Sequence, residues 1–402
     1  MNRVVITGIG IVSPVGCTLN EFWSALVEGR SGIRPIQDIP TARLATAFAA
    51  QVLAYDPQAQ FGRKQANILD RFAQFAVSAA RDAVSDAGLE IDEELALQVA
   101  TIIGTGAGGL NTLDDAYYKL YGENALTLHP LTIPRFMGNA AASHVSVDLG
   151  LKGPAYSVAS ACASGTHAIG QAFHMVRSGT APVAITGGAE ACLSVGTIKA
   201  WEALRLLSSD TCRPFSKTRT GLVLGEGAAI LVLEARHRAV ARGASIYAEL
   251  RGFGMSADAV DMLSPDPDGA TRAIQAALRD AGADLESIDY VNAHGTGTTM
   301  NDRTEINVLR SVFGAHAGRL AISSNKGVLA HGLGAAGALE AAATALTLRH
   351  QIAPPTANFE EPDPECNLDV IPNTARQMPI RAAISNSFAF GGLNAVLSFG
   401  RA

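Results

Sequence analysis

Residues Ser157 to Gly170 read SVASACASGTHAIG. A β-like run leads into Cys162, its neighbours Ala161, Ala163, Ser164 and Gly165 are small, and an apolar helical pattern follows directly. Small side chains permit a sharp strand-to-helix turn that exposes a thiol at a helix N-terminus, where unsatisfied N–H groups and the helix dipole favour thiolate over thiol. This is the geometry of an activated nucleophile. Taken alone, Cys162 also reads as a buried core cysteine, the usual fate of a free thiol. Cys17, Cys192, Cys212 and Cys366 lack this context and read only that way.

The strand entering this turn and the helix leaving it belong to an alternation that runs the whole length, the pattern of layered α/β folds. Val4 to Thr7, Val99 to Ile103, Val183 to Thr186 and Ile230 to Leu233 read as buried strands. Asp70 to Ala87 reads as a helix, with Phe72, Phe75, Ala76, Ala79, Ala83 and Val84 on one face and Gly88 ending it. The alternation then restarts: Ala248 to Gly254, Ile288 to Asn292, Leu320 to Ser323, Ala382 to Ser387 and Ala395 to Phe399 as strands, Ala270 to Ala281, Arg303 to Phe313 and Gly334 to Arg349 as helices. The chain divides into two α/β halves, 1–245 and 246–402, joined near Arg242 to Tyr247. No letter-by-letter repeat is visible, and only the order of elements points to a duplication. Gly8-Ile9-Gly10 mimics the start of a dinucleotide fingerprint but fails it, because Ser13 holds the third glycine position and Pro14 follows where a helix should open.

With 48% hydrophobic and 17% charged residues, the chain can bury a large core, which excludes disorder as its main state. A net charge of −6 supplies no global attraction for nucleic acid. Five scattered cysteines without a C-x-x-C pair argue against a disulfide framework or a zinc site and for reduced thiols in the cytoplasm. The start, MNRVVITGIGIVSPVG, lacks the charged and apolar regions of a signal peptide, and no uniformly apolar run of about 20 residues marks a membrane span. The 40 glycines imply many close backbone approaches.

Three further segments carry chemistry. Asn292 to Asp302, NAHGTGTTMND, puts His294 at a strand end and Thr296 and Thr298 in a Gly-spaced loop. Ser324 to Glu340, SNKGVLAHGLGAAGALE, places Lys326 and His331 five residues apart before a Gly/Ala-rich helix. Ser385 to Asn394, SNSFAFGGLN, runs Phe388 and Phe390 into Gly391-Gly392. One cysteine with two loop-borne histidines points to acyl chemistry, since thioesters exchange with a thiolate and imidazoles can donate to a developing oxyanion. The other seven histidines sit in helical or loop contexts without Gly/Thr-rich neighbours and read as structural or exposed.

In this order and at these separations, the four segments resemble the condensing enzymes of type II fatty acid synthesis, the β-ketoacyl-[acyl-carrier-protein] synthases of the I/II group. The resemblance covers essentially the whole chain and includes Gly187-Gly188-Ala189-Glu190, Arg213-Pro214-Phe215 and Gly225-Glu226-Gly227-Ala228. It implies a thiolase-like fold, two duplicated βαβαβαββ halves in five α/β/α/β/α layers, usually as a homodimer, with a heterodimer with a related subunit as the variant. Cys162 would carry the acyl chain, with its own N–H and that of Phe390 as the oxyanion hole. His294 and His331 would bind the malonyl thioester carbonyl, Lys326 would charge-balance the His331 side, and Glu305 would be a buried structural acid. Thr296 and Thr298 would bind the phosphopantetheine arm delivered by an acyl carrier protein, with Phe390 as a gate and Phe388 and Gly391 beside the substrate. No redox cofactor or catalytic metal is implied; a structural monovalent cation near Asn292, Glu340, Ser385 and Asn386 is the one ion the resemblance raises. Rivals from other classes are a catalytically silent chain-length-factor-like partner and a thioester hydrolase or acyltransferase using the same cysteine.

Departures from the family pattern bear on substrate. Ala107 stands where elongating relatives carry a larger aliphatic residue that gates the acyl pocket, which predicts a pocket open to long or rigid chains. Ala330 and Ala389 replace glycines and are expected to stiffen the site, because Ala resists positive φ. Asn67 and Ile68 replace basic docking residues, leaving Arg63, Lys64, Arg71 and Arg205 as the candidate carrier-protein patch.

Overall fold

A computed structural model describes all 402 residues. Ten strands carry the fold: β1 (Val4–Val12), β2 (Ala100–Gly104), β3 (Ala155–Val158), β4 (Val183–Glu190), β5 (Gly227–Ala235), β6 (Ala248–Ala257), β7 (Tyr290–Asn292), β8 (Ala321–Ser323), β9 (Ala382–Ala389) and β10 (Leu393–Gly400). The six helices that matter here are α1 (Arg71–Asp86), α2 (Ala140–Leu149), α3 (Ser164–Ser178), α4 (Pro267–Ala281), α5 (Thr299–Phe313) and α6 (Ala336–His350). Each half therefore runs βαβαβαββ. Spatial order is β3-β2-β4-β5-β1 in the first half and β8-β7-β9-β10-β6 in the second, the same order shifted by five strands. The halves meet where β1 pairs antiparallel with β6, Val4 opposite Leu250 and Ile6 opposite Ala248.

The layers follow from period-2 burial. In β5, Leu231 and Leu233 face the central core while Ile230 and Val232 face the outer core beneath α1 and α2. Apolar residues on both faces are what a strand covered on both sides requires. The central core surrounds α3 and α6, and a third core lies between the second half's strands and α4 and α5. These are the five α/β/α/β/α layers of the thiolase-like arrangement. From Ala336 to Leu348 every residue of α6 is buried, which explains its alanines: a helix packed on all sides has no amphipathic stripe.

A repeat missed by reading letters is visible in the packing. A Cβ on Gly8 or Gly10 of β1 would lie 2.1 Å from Ala83 O or 1.8 Å from Ala79 O of α1. In β6, Gly252 and Gly254 face Ala277 O at 2.4 Å and Ala273 O at 2.2 Å of α4. The strand residue between each glycine pair donates to the same acid, Ile9 N to Asp86 Oδ2 (2.9 Å) and Phe253 N to Asp280 Oδ2 (3.0 Å). Both helices read A-x-x-x-A-x-x-D-A-G, at 79–88 and 273–282. The duplication therefore does survive in the letters, and the glycines that imitate a dinucleotide loop are strand glycines that let a helix lie against the sheet.

Candidate active site

Cys162 lies in the turn between β3 and α3. The turn is tight. Ala161 has φ 48°, a left-handed value costing a non-glycine residue about 1–2 kcal/mol. Ser164 staples it, donating from Oγ to Ala161 O (2.7 Å) and accepting from Ser160 N (2.9 Å). The thiol's protonation differs from the expected one. Burial pushes Cys162 up to about 12, and the Lys326 charge and the N–H groups of Phe390 and Cys162 itself pull it down without overcoming that penalty. At 6% exposure, a thiolate here loses more hydration than the helix terminus returns, so burial favours the neutral thiol.

His294 stands two residues beyond β7 in a loop held by acids from α5. Glu305 accepts from His294 N (2.9 Å), Gly295 N (2.8 Å) and Asn386 Nδ2 (3.0 Å). Asp302 accepts from Gly297 N (3.2 Å) and Phe215 N (2.7 Å). The two carboxylates are three positions apart and so share one helix face. Asp302 was not singled out from the sequence; its signal was the N-D-R-T-E run directly after the glycine loop.

Lys326 makes its contacts with His294, while its charge acts on both imidazoles, on the His331 side as the resemblance implied. Its Nζ donates to His294 O (2.6 Å), lies 3.4 Å from His294 Nδ1 and pairs with Glu340. The reason is topological: β7 and β8 are parallel neighbours with Asn292 opposite Ser323, so the residues just past their ends emerge side by side. His331 instead accepts at Nδ1 from Leu333 N (3.2 Å). The imidazole rings stand 5.4 Å apart at 82°. Burial, then the Lys326 charge, lowers both histidines well below the usual imidazole range, so both are neutral. With each Nδ1 facing a donor, the ring proton resides on Nε2.

Cys162, His294, His331, Thr296, Thr298 and Phe390 line one cavity of about 240 Å³. Thr296 and Thr298 share a hydrogen bond between hydroxyls (2.8 Å), and Phe388 stands edge-on to His294 at 6.1 Å. Gly391 does not line the cavity; it forms a bend with Gly392 at φ 79° and 67°. Ala107 is also outside it. In the single chain Ala107 is exposed, its N–H donating to Glu190 (3.2 Å). Glu190, unassigned from sequence, also accepts from Thr105 Oγ1 (3.0 Å), Gly106 N (2.7 Å) and Gly334 N (3.0 Å), which ties the loop after β2 to the approach of α6.

One of the two alanine expectations fails. Ala389 is extended (φ −109°, ψ 157°), so a side chain there costs nothing. Ala330 does adopt the glycine-like conformation, φ 56° and ψ −166°, and carries the strain. Within the candidate basic patch, the half-exposed Arg71 guanidinium is paired with Glu226 (2.7 Å) and donates to Val52 O (2.8 Å). Arg63 and Lys64 are exposed, and Arg205 stands at the cavity mouth. Asn292 Oδ1, Glu340 Oε2, Ser385 Oγ and Asn386 Oδ1 are buried without a hydrogen-bond partner. An all-oxygen set with a single carboxylate fits a hard cation of low charge.

The family model for the beta-ketoacyl synthase N-terminal domain matches residues 1–239, and that for its C-terminal domain matches 247–360. Nodulation protein E of Rhizobium sp. (strain N33) is 46% identical over 397 residues, 99% of this chain and 98% of that relative. The 3-oxoacyl-[acyl-carrier-protein] synthase 2 of Synechocystis sp. (strain ATCC 27184 / PCC 6803 / Kazusa) is 42% identical over 405 residues, 99% of this chain and 97% of that one. Among solved structures, the ishigamide ketosynthase/chain length factor superposes with a TM-score of 0.95 at 37% identity, over 100% of this chain and 99% of that chain. A type II PKS ketosynthase in complex with its acyl-carrier protein gives 0.90 at 32% identity, over 100% and 99%. The chain belongs to the β-ketoacyl synthase family and is a condensing acyltransferase of that family.

Proposed function

We propose that the protein condenses an acyl group held on Cys162 with malonyl-[acyl-carrier-protein], releasing carbon dioxide and a β-ketoacyl-[acyl-carrier-protein]. The observation that carries this reading is the convergence of one thiol and two neutral Nε2–H imidazoles on a single cavity. Cys162 Sγ attacks the acyl thioester, the bond to the pantetheine sulfur breaks, and the thiol proton goes to that departing sulfur. The tetrahedral oxygen is held by the N–H groups of Cys162 and Phe390. Malonyl thioester then binds with its carbonyl oxygen accepting from His294 and His331. Neutral donors suit this step, because the negative charge develops only as the C–C bond to the carboxylate breaks. The enolate carbon attacks the acyl carbonyl, and Cys162 leaves as thiolate and takes up a proton.

Thr296 and Thr298 hydrogen-bond the pantetheine arm, Phe390 gates the thiol, and Arg63, Lys64 and Arg205 meet the acidic carrier. The four unpartnered oxygens of Asn292, Glu340, Ser385 and Asn386 would hold a monovalent cation, which would tie β7, β9 and α6 together under the histidine loops. A second copy, or a related subunit, docks on the free edge of β3, on which Tyr156 is exposed. Ala107 meets the acyl chain only in that assembly. The chain belongs to fatty acid elongation or to a specialised acyl product, made in the cytoplasm.

Incubation with acyl- and malonyl-carrier proteins tests the proposal. Carbon dioxide with a product two carbons longer is the expected result. Free acid without extension would instead identify a thioester hydrolase, and no acyl-enzyme at all would identify a silent partner.

A further inference from the structure

The Phe390 ring is held by one other ring. Trp201 stacks on it with centroids 5.6 Å apart and planes 23° from parallel, and both rings line the cavity that holds Cys162. The two rings are mounted differently. Trp201 is on the helix Val195–Ala203, which is fixed at its start by Ser194 accepting from Thr197 N (3.2 Å). The neighbouring residue Glu202 takes Thr46 N (3.0 Å) and Ala45 N, which anchors the same turn to another part of the chain. Phe390 is followed by Gly391 and Gly392 at φ 79° and 67°, two successive residues for which positive φ is free. The bend is held by Gly391 N donating to Met262 O (2.9 Å) and by Asp258 N (2.9 Å) and Asn394 Nδ2 (3.3 Å) donating to Gly392 O, none of which touches the Phe390 side chain. One ring rides on a tied helix and the other immediately precedes two positive-φ glycines.

We propose that Trp201 is the latch of the gate: its indole holds the Phe390 ring over Cys162, and an acyl chain reaches the thiol only when this stack opens about Gly391 and Gly392. Trp201 is thus a positioning residue that acts through Phe390 and sets how readily bulky acyl chains enter. The proposal rests on the reading of Cys162 as the acylated nucleophile.

The chain has two tryptophans, and Trp23 stacks on His350 elsewhere. A Trp23→Phe variant therefore makes Trp201 the sole indole. Octanoyl-pantetheine is the probe, with acylation of Cys162 followed by intact mass and Trp201 emission recorded in the same reaction. The emission is expected to change at the rate at which acyl mass appears, and not in a Cys162→Ala control. Trp201→Ala should acylate roughly two- to tenfold faster, the worth of one aromatic pair, with the larger gain for hexadecanoyl-pantetheine. Trp201→Phe keeps a stacking ring and should restore the slower rate. Acylation with unchanged Trp201 emission, or equal rates for the Ala and Phe variants, would overturn the latch while leaving the nucleophile intact. Absence of acyl mass on Cys162 in every variant would overturn the nucleophile reading, and the latch with it.

Discussion

Replacing Lys326 by Met removes the one charge that touches His294 and keeps the volume of the side chain. Two donor contacts disappear, to His294 O at 2.6 Å and toward Nδ1 at 3.4 Å, together with the ion pair to Glu340. Without a donor at Nδ1 the imidazole is free to move its proton there, and the Nε2–H that would meet the malonyl carbonyl is lost from much of the population. Losing one preorganised oxyanion donor costs about 10²–10³ in rate. Loading of Cys162 uses other donors, so it should fall by no more than about tenfold, the share owed to the Lys326 charge that opposes burial at the thiol. Breaking a buried ion pair ordinarily destabilises by about 3–5 kcal/mol. Here Glu340 is already pushed up to about 7 with Lys326 beside it, burial being the cause, so the orphaned carboxyl takes up a proton near neutrality instead. Its native pKa then rises further. A group whose native pKa is raised keeps its stability below the unfolded value, near 4.5, and loses it as pH climbs through the native value, by about 1.4 kcal/mol per unit. The variant's stability deficit should therefore be larger at pH 9 than at pH 6. Stopped-flow loading, decarboxylation of malonyl-carrier protein by the loaded enzyme, and urea unfolding at both pH values give the three readouts. Equal losses in loading and decarboxylation, or a deficit that shrinks with rising pH, would refute the assignment of Lys326 to His294.

Both imidazoles are held well below 6.5 by burial and Lys326, so decarboxylation by loaded enzyme should be flat from pH 8 to 6; a limb near 6.5 would show them titrating normally. The same shifts make the unfolded state the better proton binder below pH 6.5, so these two groups should cost stability as pH falls through that value, read by unfolding at pH 7 and 5. A Cβ on Gly334 would sit 2.2 Å from Gly106 N and 2.6 Å from Glu190 Oε2, so Gly334→Ala should destabilise by at least about 1–3 kcal/mol in denaturant unfolding and slow loading as the Glu190 contacts open. Ala330→Gly should stabilise by about 1 kcal/mol, relief of about 1–3 kcal/mol of backbone strain exceeding the entropy that glycine adds to the unfolded chain; destabilisation would mean that the alanine methyl is worth more than its strain.

The fold class, and the convergence of one cysteine and two histidines on a single cavity, were legible in the sequence for definite reasons. Strands buried on both faces read as unbroken apolar runs, and a thiol between small residues marks a tight turn whatever surrounds it. The thiol's protonation was not legible, because the helix terminus is a local property while desolvation is set by residues far away in sequence. The contact of Lys326 with His294 was not legible, because strand adjacency delivers that histidine from 32 positions away. The ion pair of Arg71 with Glu226 was not legible either, because a charge carries no label saying which carboxylate waits 155 positions on. Ala107 was read as a pocket residue, and in one chain it is exposed outside the cavity.

The duplication explains why the site is where it is. The packing glycines Gly8 and Gly10 have counterparts in Gly252 and Gly254, and each half threads its third helix into the middle layer. Those two helices, α3 and α6, touch at their starts: a Cβ on Gly165 would lie 2.9 Å from Ala338 N and 3.0 Å from Gly334 O, and one on Gly337 would lie 1.9 Å from Thr166 Oγ1. Whatever precedes α3 and α6 in sequence is therefore brought together in space. Cys162 precedes α3 by two residues and His331 precedes α6 by five, while His294 follows β7, the strand two places into the second half. The first half thus supplies the thiol of the cavity and the second supplies its two imidazoles. Glu190 secures the arrangement by binding Gly106 of one half and Gly334 of the other through a single carboxylate. A substitution that loosens the contact between the two helix starts should therefore cost loading and decarboxylation together, whereas one at Lys326 should separate them.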